Sequence, residues 1–208
     1  MQAIYVKWEE LAGADALNAA TKALSANGIS VVIVENGEEA KRKALELIPK
    51  GAEVFTVTST TVARIGLDRE LNESGRYASV RKKLNEMDRN TQSKEMAKLG
   101  SVPEWVVGSV HAVTESGNVI IASQTGSQLS AYAHGAQHVI WIVGTQKIVK
   151  DFDEGMKRIY EHSLPLESAR AKKAYGAPGS AVNKLLIVNK EVVPNRTTMI
   201  LVKERLGF

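Results

Sequence analysis

Four consecutive hydroxyl residues form a candidate anion site. They are Thr58, Ser59, Thr60 and Thr61, and they follow a β-branched stretch at residues 53–57 that predicts a strand. Hydroxyl groups beside the free N–H groups of a helix N-terminus can bind an anion at the carboxyl end of a strand. The same residues are also ordinary helix N-caps. The segment is therefore either a cap alone or part of a ligand site at the sheet edge.

A second loop of similar composition lies between a predicted strand and a predicted helix. It contains Thr125, Gly126, Ser127 and Gln128. Glycine allows the backbone to approach a ligand closely, and the hydroxyl residues can cap the helix. Neither the P-loop motif nor the GxGxxG fingerprint occurs in the chain. This argues against P-loop ATP hydrolysis and against a standard Rossmann NAD site.

Charged residues follow other predicted strands and could act on a bound anion. Glu115 lies in a predicted tight turn, where a carboxylate can serve as a nucleophile or a general base. Lys147 follows the strongest strand and would place a cation at the carboxyl edge of the sheet, with Lys184 and Arg196 as further cationic candidates. The competing interpretations are a polar strand end for Glu115 and a solvated loop residue for Lys147.

Redox and metal chemistry find little support in the sequence. Cysteine is absent from the 208 residues, which excludes thiolate nucleophiles and iron–sulfur ligation on this chain. His134 and His138 have the i, i+4 spacing of a helical metal pair, but Gly135 and an expected change from helix to strand separate them. We therefore expect no metal site and no redox cofactor.

The positive charge of the chain is concentrated in one segment. Residues 76–98 carry seven basic and three acidic side chains, a difference that equals the whole-chain net charge of +4. Aromatic residues that could stack on bases are not interleaved with them. The segment therefore favours a solvated helical arm or an anion-facing flank over a nucleic-acid interface, and we expect no nucleic-acid partner.

Length and composition are typical of one globular domain. Apolar residues make up 44% and charged residues 24% of the chain, which excludes low-complexity disorder. We expect a single α/β domain over residues 1–208. The first residues lack a signal-peptide core and no apolar run has the length of a membrane span, so we expect a cytoplasmic protein with no membrane partner.

Helical and strand patterns alternate along the chain. Helices are predicted over residues 9–26, 36–47, 127–135 and 152–162, and strands over 29–34, 53–57, 105–110, 112–115, 118–122, 138–143, 185–188 and 199–202. This order predicts a central parallel or mixed sheet with helices on both faces. Ser116-Gly117 predicts a hairpin turn. Residues 60–100 are predicted to form helices outside the sheet, and an amphipathic arm of this kind favours a homodimer.

Several stretches, taken in order, resemble one known family. They are Thr58–Leu67, Ala112–Asn118, Thr125–Gln128, His138–Asp151 and Arg196–Phe208. Together they resemble the LUD domain, the lactate-utilisation domain family, from about residue 10 to the end of the chain. The resemblance implies a fold similar to that of sugar-phosphate isomerases and CoA transferases. It also implies an association with L-lactate oxidation in bacteria, through complexes that include iron–sulfur proteins.

The resemblance also bears on individual residues. CoA transferases of similar fold use a glutamate on a Glu-Asn-Gly turn as the acyl-accepting nucleophile, and Glu115-Ser116-Gly117 is similar to that turn. Many LUD relatives carry a cysteine cluster where this chain has residues 172–180, and often an acidic residue where it has Arg64. The resemblance therefore implies that any electron transfer is carried by another subunit.

Two functions are consistent with these features. The first is a LUD-domain protein of lactate or organic-acid metabolism that binds a small anionic metabolite, which is a carboxylate, a phosphorylated compound or a CoA derivative. The alternative is a non-catalytic accessory or regulatory subunit with an iron–sulfur partner protein. Whether the chain is an enzyme stays open at this point. For the first function, we expect residues 58–61, residues 126–128 and Lys147 to converge at the carboxyl edge of the sheet.

Overall fold

Two β-sheets with surrounding helices make up the fold in the computed structural model, which describes residues 7–208. The helices are α1 (Ala14–Ala26), α2 (Gly37–Leu47), α3 (Thr60–Arg64), α4 (Leu67–Glu73), α5 (Val80–Glu86), α6 (Ser93–Ser101), α7 (Phe152–Arg158) and α8 (Leu164–Tyr175). The strands are β1 (Ser30–Val34), β2 (Glu53–Thr56), β3 (Ala78–Ser79), β4 (Trp105–Gly108), β5 (Ala112–Thr114), β6 (Val119–Ser123), β7 (His138–Gly144), β8 (Ile148–Val149), β9 (Lys184–Val188) and β10 (Thr197–Val202). The described residues also form two π-helical turns, Ala131–Gly135 and Ile159–Ser163, and a 3-10 turn, Thr145–Lys147.

The larger sheet has six parallel strands in the order β1-β10-β7-β4-β2-β3. Its strand β7 shows how the two faces are covered. Val139, Trp141 and Val143 pack into one hydrophobic cluster with α1, and Ile140 and Ile142 pack into another with α2. Because successive strand residues point to opposite faces, a strand buried on both sides is apolar throughout. The prediction of a sheet with helices on both faces is confirmed.

The smaller sheet has four strands in the order β8-β5-β6-β9. The predicted hairpin is present, since β5 and β6 pair antiparallel. Strands β9 and β10 are consecutive in the sequence but belong to different sheets. Residues of β5 and β6 join the same hydrophobic cluster as α1. The smaller sheet therefore packs against the face of the larger one that α1 also covers.

Residues 60–100 form the expected helices outside the sheet, α3 to α6. One short exception is β3, which pairs with β2 at the edge of the larger sheet. Two residues carry no periodicity, so the sequence pattern could not indicate this strand. The basic side chains of residues 76–98 are exposed apart from that of Arg81, which is half-buried. No helix within residues 7–208 combines the length and the hydropathy that crossing a bilayer would require.

Two predicted helices differ from those observed. Helix α1 begins at Ala14 rather than at residue 9. The helix predicted over 152–162 continues through the π-helical turn Ile159–Ser163 into α8 and ends at Tyr175. Pro165 does not stop it, and the π-helical turn Ile159–Ser163 lies directly before the proline. Such a turn replaces the regular i→i−4 hydrogen bonds at the place where proline has no N–H to donate.

Gly28 follows α1 with φ at +80°, the left-handed conformation that glycine commonly adopts after a helix C-terminus. A Cβ at this position would lie 2.1 Å from the Glu191 carbonyl oxygen. We expect Gly28→Ala to lower the free energy of unfolding by about 2 kcal/mol, through the left-handed backbone and the forced displacement of residue 191. Urea denaturation measures the change. Gly13→Ala is the matched control, since Gly13 has φ at −65° and open space around its Cβ position; an equal loss in both variants would contradict the explanation.

Candidate functional site

A cavity of about 390 Å³ lies at the carboxyl ends of strands from the larger sheet. Residues 57–61 follow β2, residues 109–111 follow β4, and Lys147 follows β7; all of them line the cavity. The end of β6 and the region of α8 complete the wall. Open α/β sheets bind their ligands at this edge. The cavity is therefore a candidate ligand site by its position in the fold.

Most residues predicted from the two hydroxyl-rich loops meet at this cavity. Thr58 to Thr61 line it, and so do Thr125, Ser127, Gln128 and Lys147. The structure thus brings these segments together at one cavity. Ser59 also caps α3, since its Oγ accepts from the Val62 N–H at 3.3 Å. Capping and a place in the cavity wall are therefore not alternatives at this segment.

Gly126 and Lys184 stabilise the second hydroxyl-rich loop from outside the cavity. Neither residue is among those that line the cavity. Lys184 Nζ donates to the Thr125 carbonyl oxygen at 2.7 Å. Gly126 has φ at +85°, and a Cβ there would lie 2.7 Å from the Lys184 side chain. The lysine thus packs over the glycine and holds the loop, so the structure does not present its charge to the cavity.

Lys147 is a buried residue at the cavity wall, not a solvated loop residue, with 2% of its surface exposed. Its Nζ lies 3.2 Å from Thr61 Oγ1, 3.1 Å from Ser109 Oγ and 3.1 Å from the Val110 carbonyl oxygen. Burial, and to a lesser extent the nearby Arg158, hold the pKa of Lys147 well below its usual range. Both effects favour the neutral amine, which can act as a base.

Arg158 is fully buried close to the cavity. Its Nη1 donates to the His111 carbonyl oxygen at 2.7 Å and to Ser163 Oγ at 3.1 Å, while Nε and Nη2 have no hydrogen-bond partner. Burial lowers the pKa of Arg158 to about 10, so the guanidinium stays charged at neutral pH. Within residues 7–208, neither Arg158 nor Lys147 forms an ion pair. A buried charge without a counterion makes the surrounding potential strongly positive.

Three arginines line the cavity itself: Arg81, Arg89 and Arg170. Arg81 donates from Nε and Nη2 to the Thr56 carbonyl oxygen at 3.0 and 2.7 Å, and its guanidinium lies 5.0 Å from the centre of the Phe55 ring. Neither Arg81 nor Arg89 forms an ion pair within the described part of the chain. Arg170 alone has a carboxylate partner in the cavity wall, Glu167. The wall is therefore cationic.

Two histidines lie close to the buried cations. His111 lines the cavity, and its Nδ1 accepts the Ala122 N–H at 3.1 Å. Burial, with a smaller effect of Lys147 and Arg158, lowers the pKa of His111 to about 3. Burial and the neighbouring Arg158 likewise lower the pKa of His162 to about 4. Both imidazoles are therefore neutral at physiological pH, which suits hydrogen bonding more than charge pairing.

The family model of the LUD domain matches residues 17–202. This chain belongs to the LUD domain family. A structure of similar fold is the crystal structure of a DUF162 family protein from Deinococcus radiodurans, with a TM-score of 0.56 and 15% sequence identity. The match covers 93% of this chain and 99% of that one, and it bears on the fold alone. No curated protein matches the chain.

Glu115 is not among the residues that line the cavity of this LUD domain. Strand β5 begins next to His111 and β6 ends at Ser123, both at the cavity, so the turn joining the strands lies at their other end. The turn packs on α1, because a Cβ on Gly117 would lie 2.8 Å from the Ala23 backbone. Glu115 and Lys147, both candidates from the sequence, therefore do not line the same cavity.

Arg196 is also away from the cavity. It lies directly before β10, whereas the cavity lies at the carboxyl ends of the strands. Its guanidinium donates to the carbonyl oxygens of Ala131, Tyr132 and Ala136, and it pairs with Glu191 at 2.6 Å. With all of these partners, the buried arginine anchors the π-helical turn Ala131–Gly135, and the ligand role expected for it is wrong.

Arg64 and the segment 172–180, where this chain departs from the family pattern, differ in their position relative to the cavity. Arg64 is exposed, and it is not among the residues that line the cavity. In the segment 172–180, Tyr175 and Ser180 line the cavity. This segment, for which the resemblance implies cysteines in many relatives, thus contributes an aromatic ring and a hydroxyl group to the wall. Within residues 7–208, no group of histidine, aspartate and glutamate side chains is placed to hold a metal ion.

Proposed function

We propose that this LUD domain binds a small anionic metabolite of organic-acid metabolism in the cavity beside Lys147. The metabolite is a carboxylate, a phosphorylated compound or a CoA derivative. The observation that carries the proposal is the set of cations without carboxylate partners, with Arg158 buried beneath the site and Arg81 and Arg89 in its wall. An anion would supply the missing countercharge in a region of low dielectric constant.

Hydroxyl groups supply the rest of a binding surface. Thr58, Ser59, Thr60, Ser127 and Ser180 line the same cavity and can donate to carboxylate or phosphoryl oxygens. Charge-assisted hydrogen bonds from arginine to such oxygens are among the stronger polar contacts in proteins. The volume lies in the range of about 300–1,000 Å³ that is typical of small-molecule sites. A metabolite, or the acyl end of a CoA thioester, fits this size.

Thermal denaturation with a panel of matched ligands tests the proposal. Each anion is paired with an uncharged counterpart at equal ionic strength: L-lactate with lactamide, and ribose 5-phosphate with ribose; CoA and acetyl-CoA complete the panel. A ligand at roughly 100 times its dissociation constant adds about 2.7 kcal/mol to the free energy of unfolding. For a domain of this size we expect the melting temperature to rise by about 5–10 °C.

The uncharged counterparts decide the interpretation of this experiment. We expect at least one anion to raise the melting temperature while its counterpart leaves it unchanged. Equal shifts for anion and counterpart, or no shift with any member of the panel, would contradict the proposal. If no ligand binds and the chain instead retains an iron–sulfur protein during purification, the accessory role replaces it.

A further inference from the structure

A serine that belongs to no recognised sequence motif lies beside Lys147. Ser109 follows Gly108, the last residue of β4, and lines the cavity. Its Oγ lies 3.1 Å from Lys147 Nζ. The backbone is closely packed here, since a Cβ on Gly108 would lie 1.9 Å from the Tyr132 hydroxyl. The serine hydroxyl is therefore held at the cavity wall within reach of the buried amine.

The other partners of Lys147 determine where its protons point. The Val110 carbonyl oxygen can only accept, so Nζ donates to it. The Thr61 hydroxyl donates to the Leu206 carbonyl oxygen and therefore accepts from Nζ. A neutral amine has two protons and one lone pair, and these two acceptors take both protons. In the neutral amine the remaining lone pair is then available to accept from Ser109 Oγ, whose other acceptor, the Val110 carbonyl oxygen, is farther away at 3.5 Å.

We infer that Ser109 is the nucleophile and Lys147 the general base of an acyl-transfer site for an ester or thioester that carries an anionic group. The inference rests on the proposed function, which assigns the anionic group to the arginines, and it adds the reaction. A lysine that activates a serine is a known variant of the serine–histidine arrangement. The lowered pKa of Lys147 supports this role, because a general base must be unprotonated at the working pH.

The chemical steps balance without a cofactor. Ser109 Oγ forms a bond to the carbonyl carbon while its proton moves to Lys147 Nζ. The tetrahedral intermediate then breaks the bond to the leaving oxygen or sulfur, which takes the proton from Nζ, and an acyl-serine remains. A water molecule attacks this ester and gives a proton to Nζ, and the proton returns to Ser109 as the carboxylic acid leaves. The net reaction is hydrolysis; another nucleophile in place of water gives acyl transfer.

The first test uses p-nitrophenyl acetate, which has no anionic group and so tests the serine and lysine independently of anion binding. We expect a burst of about one p-nitrophenol per chain and a mass increase of one acetyl group on Ser109. Ser109→Ala should abolish both, and Lys147→Met should slow the burst by at least about 100-fold. Ser25→Ala and Lys150→Met, exposed positions outside the cavity, are the matched controls.

A second test does not depend on a substrate. Because the chain has no cysteine, Ser109→Cys creates a single thiol whose alkylation by iodoacetamide can be followed against pH. We expect the midpoint of this profile to lie well below about 8.5, the ordinary thiol pKa, and to rise when Lys147→Met is added. Ser25→Cys provides the ordinary profile for comparison.

The outcomes separate this inference from the proposed function. Absence of a burst in the wild-type protein, a burst that Ser109→Ala retains, or identical alkylation profiles at positions 109 and 25 would overturn the inference. Anion binding without these signals would leave the proposed function standing alone. The signals without anion binding would confirm the serine–lysine site and overturn the proposed ligand class.

Discussion

Replacing Arg81 by glutamine is expected to weaken binding of the anionic ligand by about 30-fold. Arg81 lines the cavity, and its Nε and Nη2 are already fixed on the Thr56 carbonyl oxygen. The guanidinium is thus held in place, and its charge has no carboxylate partner among the described residues. A hydrogen bond from a charged group contributes about 1.5–3 kcal/mol. Isothermal titration calorimetry of wild type and variant, with the anion selected by the thermal panel, measures the loss.

Arg76→Gln is the matched control for this substitution. Arg76 belongs to the same basic segment, but it is exposed, pairs with Glu70 and is not part of the cavity lining. We expect the Arg76→Gln variant to bind the anion with the wild-type affinity within about twofold. Water and salt screen an exposed charge that lies away from the cavity, so its removal has little effect. Equal losses at positions 76 and 81 would mean that overall charge, rather than a held guanidinium, determines the affinity.

The convergence of the hydroxyl loops and Lys147 was predictable from the sequence for a geometric reason. The carboxyl ends of parallel strands meet at one edge of a sheet, so residues that follow β2 and β7 must be neighbours. The same reasoning failed for Glu115, since a turn motif does not show which end of a hairpin faces the ligand. The resemblance to a catalytic turn was local, whereas the position of the turn depends on how the smaller sheet packs.

The burial and the contacts of several polar residues carried no local signal in the sequence. Arg158 lies in a helix with other polar residues and has the sequence context of a surface position. Ser109 follows an apolar strand and belongs to no motif. Arg196 was expected at the ligand, but its guanidinium donates to carbonyl groups that lie 60 and 65 residues earlier in the chain. Burial is a property of the tertiary contacts, and no single-sequence pattern determines it for an isolated polar residue.

The free energy of unfolding is expected to fall steeply below pH 6.5, in part through His111. Its pKa is about 3 in the folded protein and about 6.5 in the unfolded chain. Above pH 6.5 both states hold a neutral imidazole, and the residue contributes no pH dependence. Between pH 6.5 and about 3 the unfolded chain binds the proton more strongly, so acid favours unfolding. One pKa unit corresponds to about 1.4 kcal/mol, which gives a loss of about 2 kcal/mol from this residue by pH 5.

His111→Asn isolates this contribution, because an asparagine oxygen can accept the Ala122 N–H in place of Nδ1 and does not titrate. Urea denaturation at pH 7 and pH 5 should show a decrease about 2 kcal/mol smaller in the variant than in the wild type. His162, whose pKa is also lowered, remains in the variant and keeps part of the pH dependence. If the free energy of unfolding of His111→Asn falls as much as that of the wild type, the wild-type imidazole is solvated and the cavity wall does not exclude its charge.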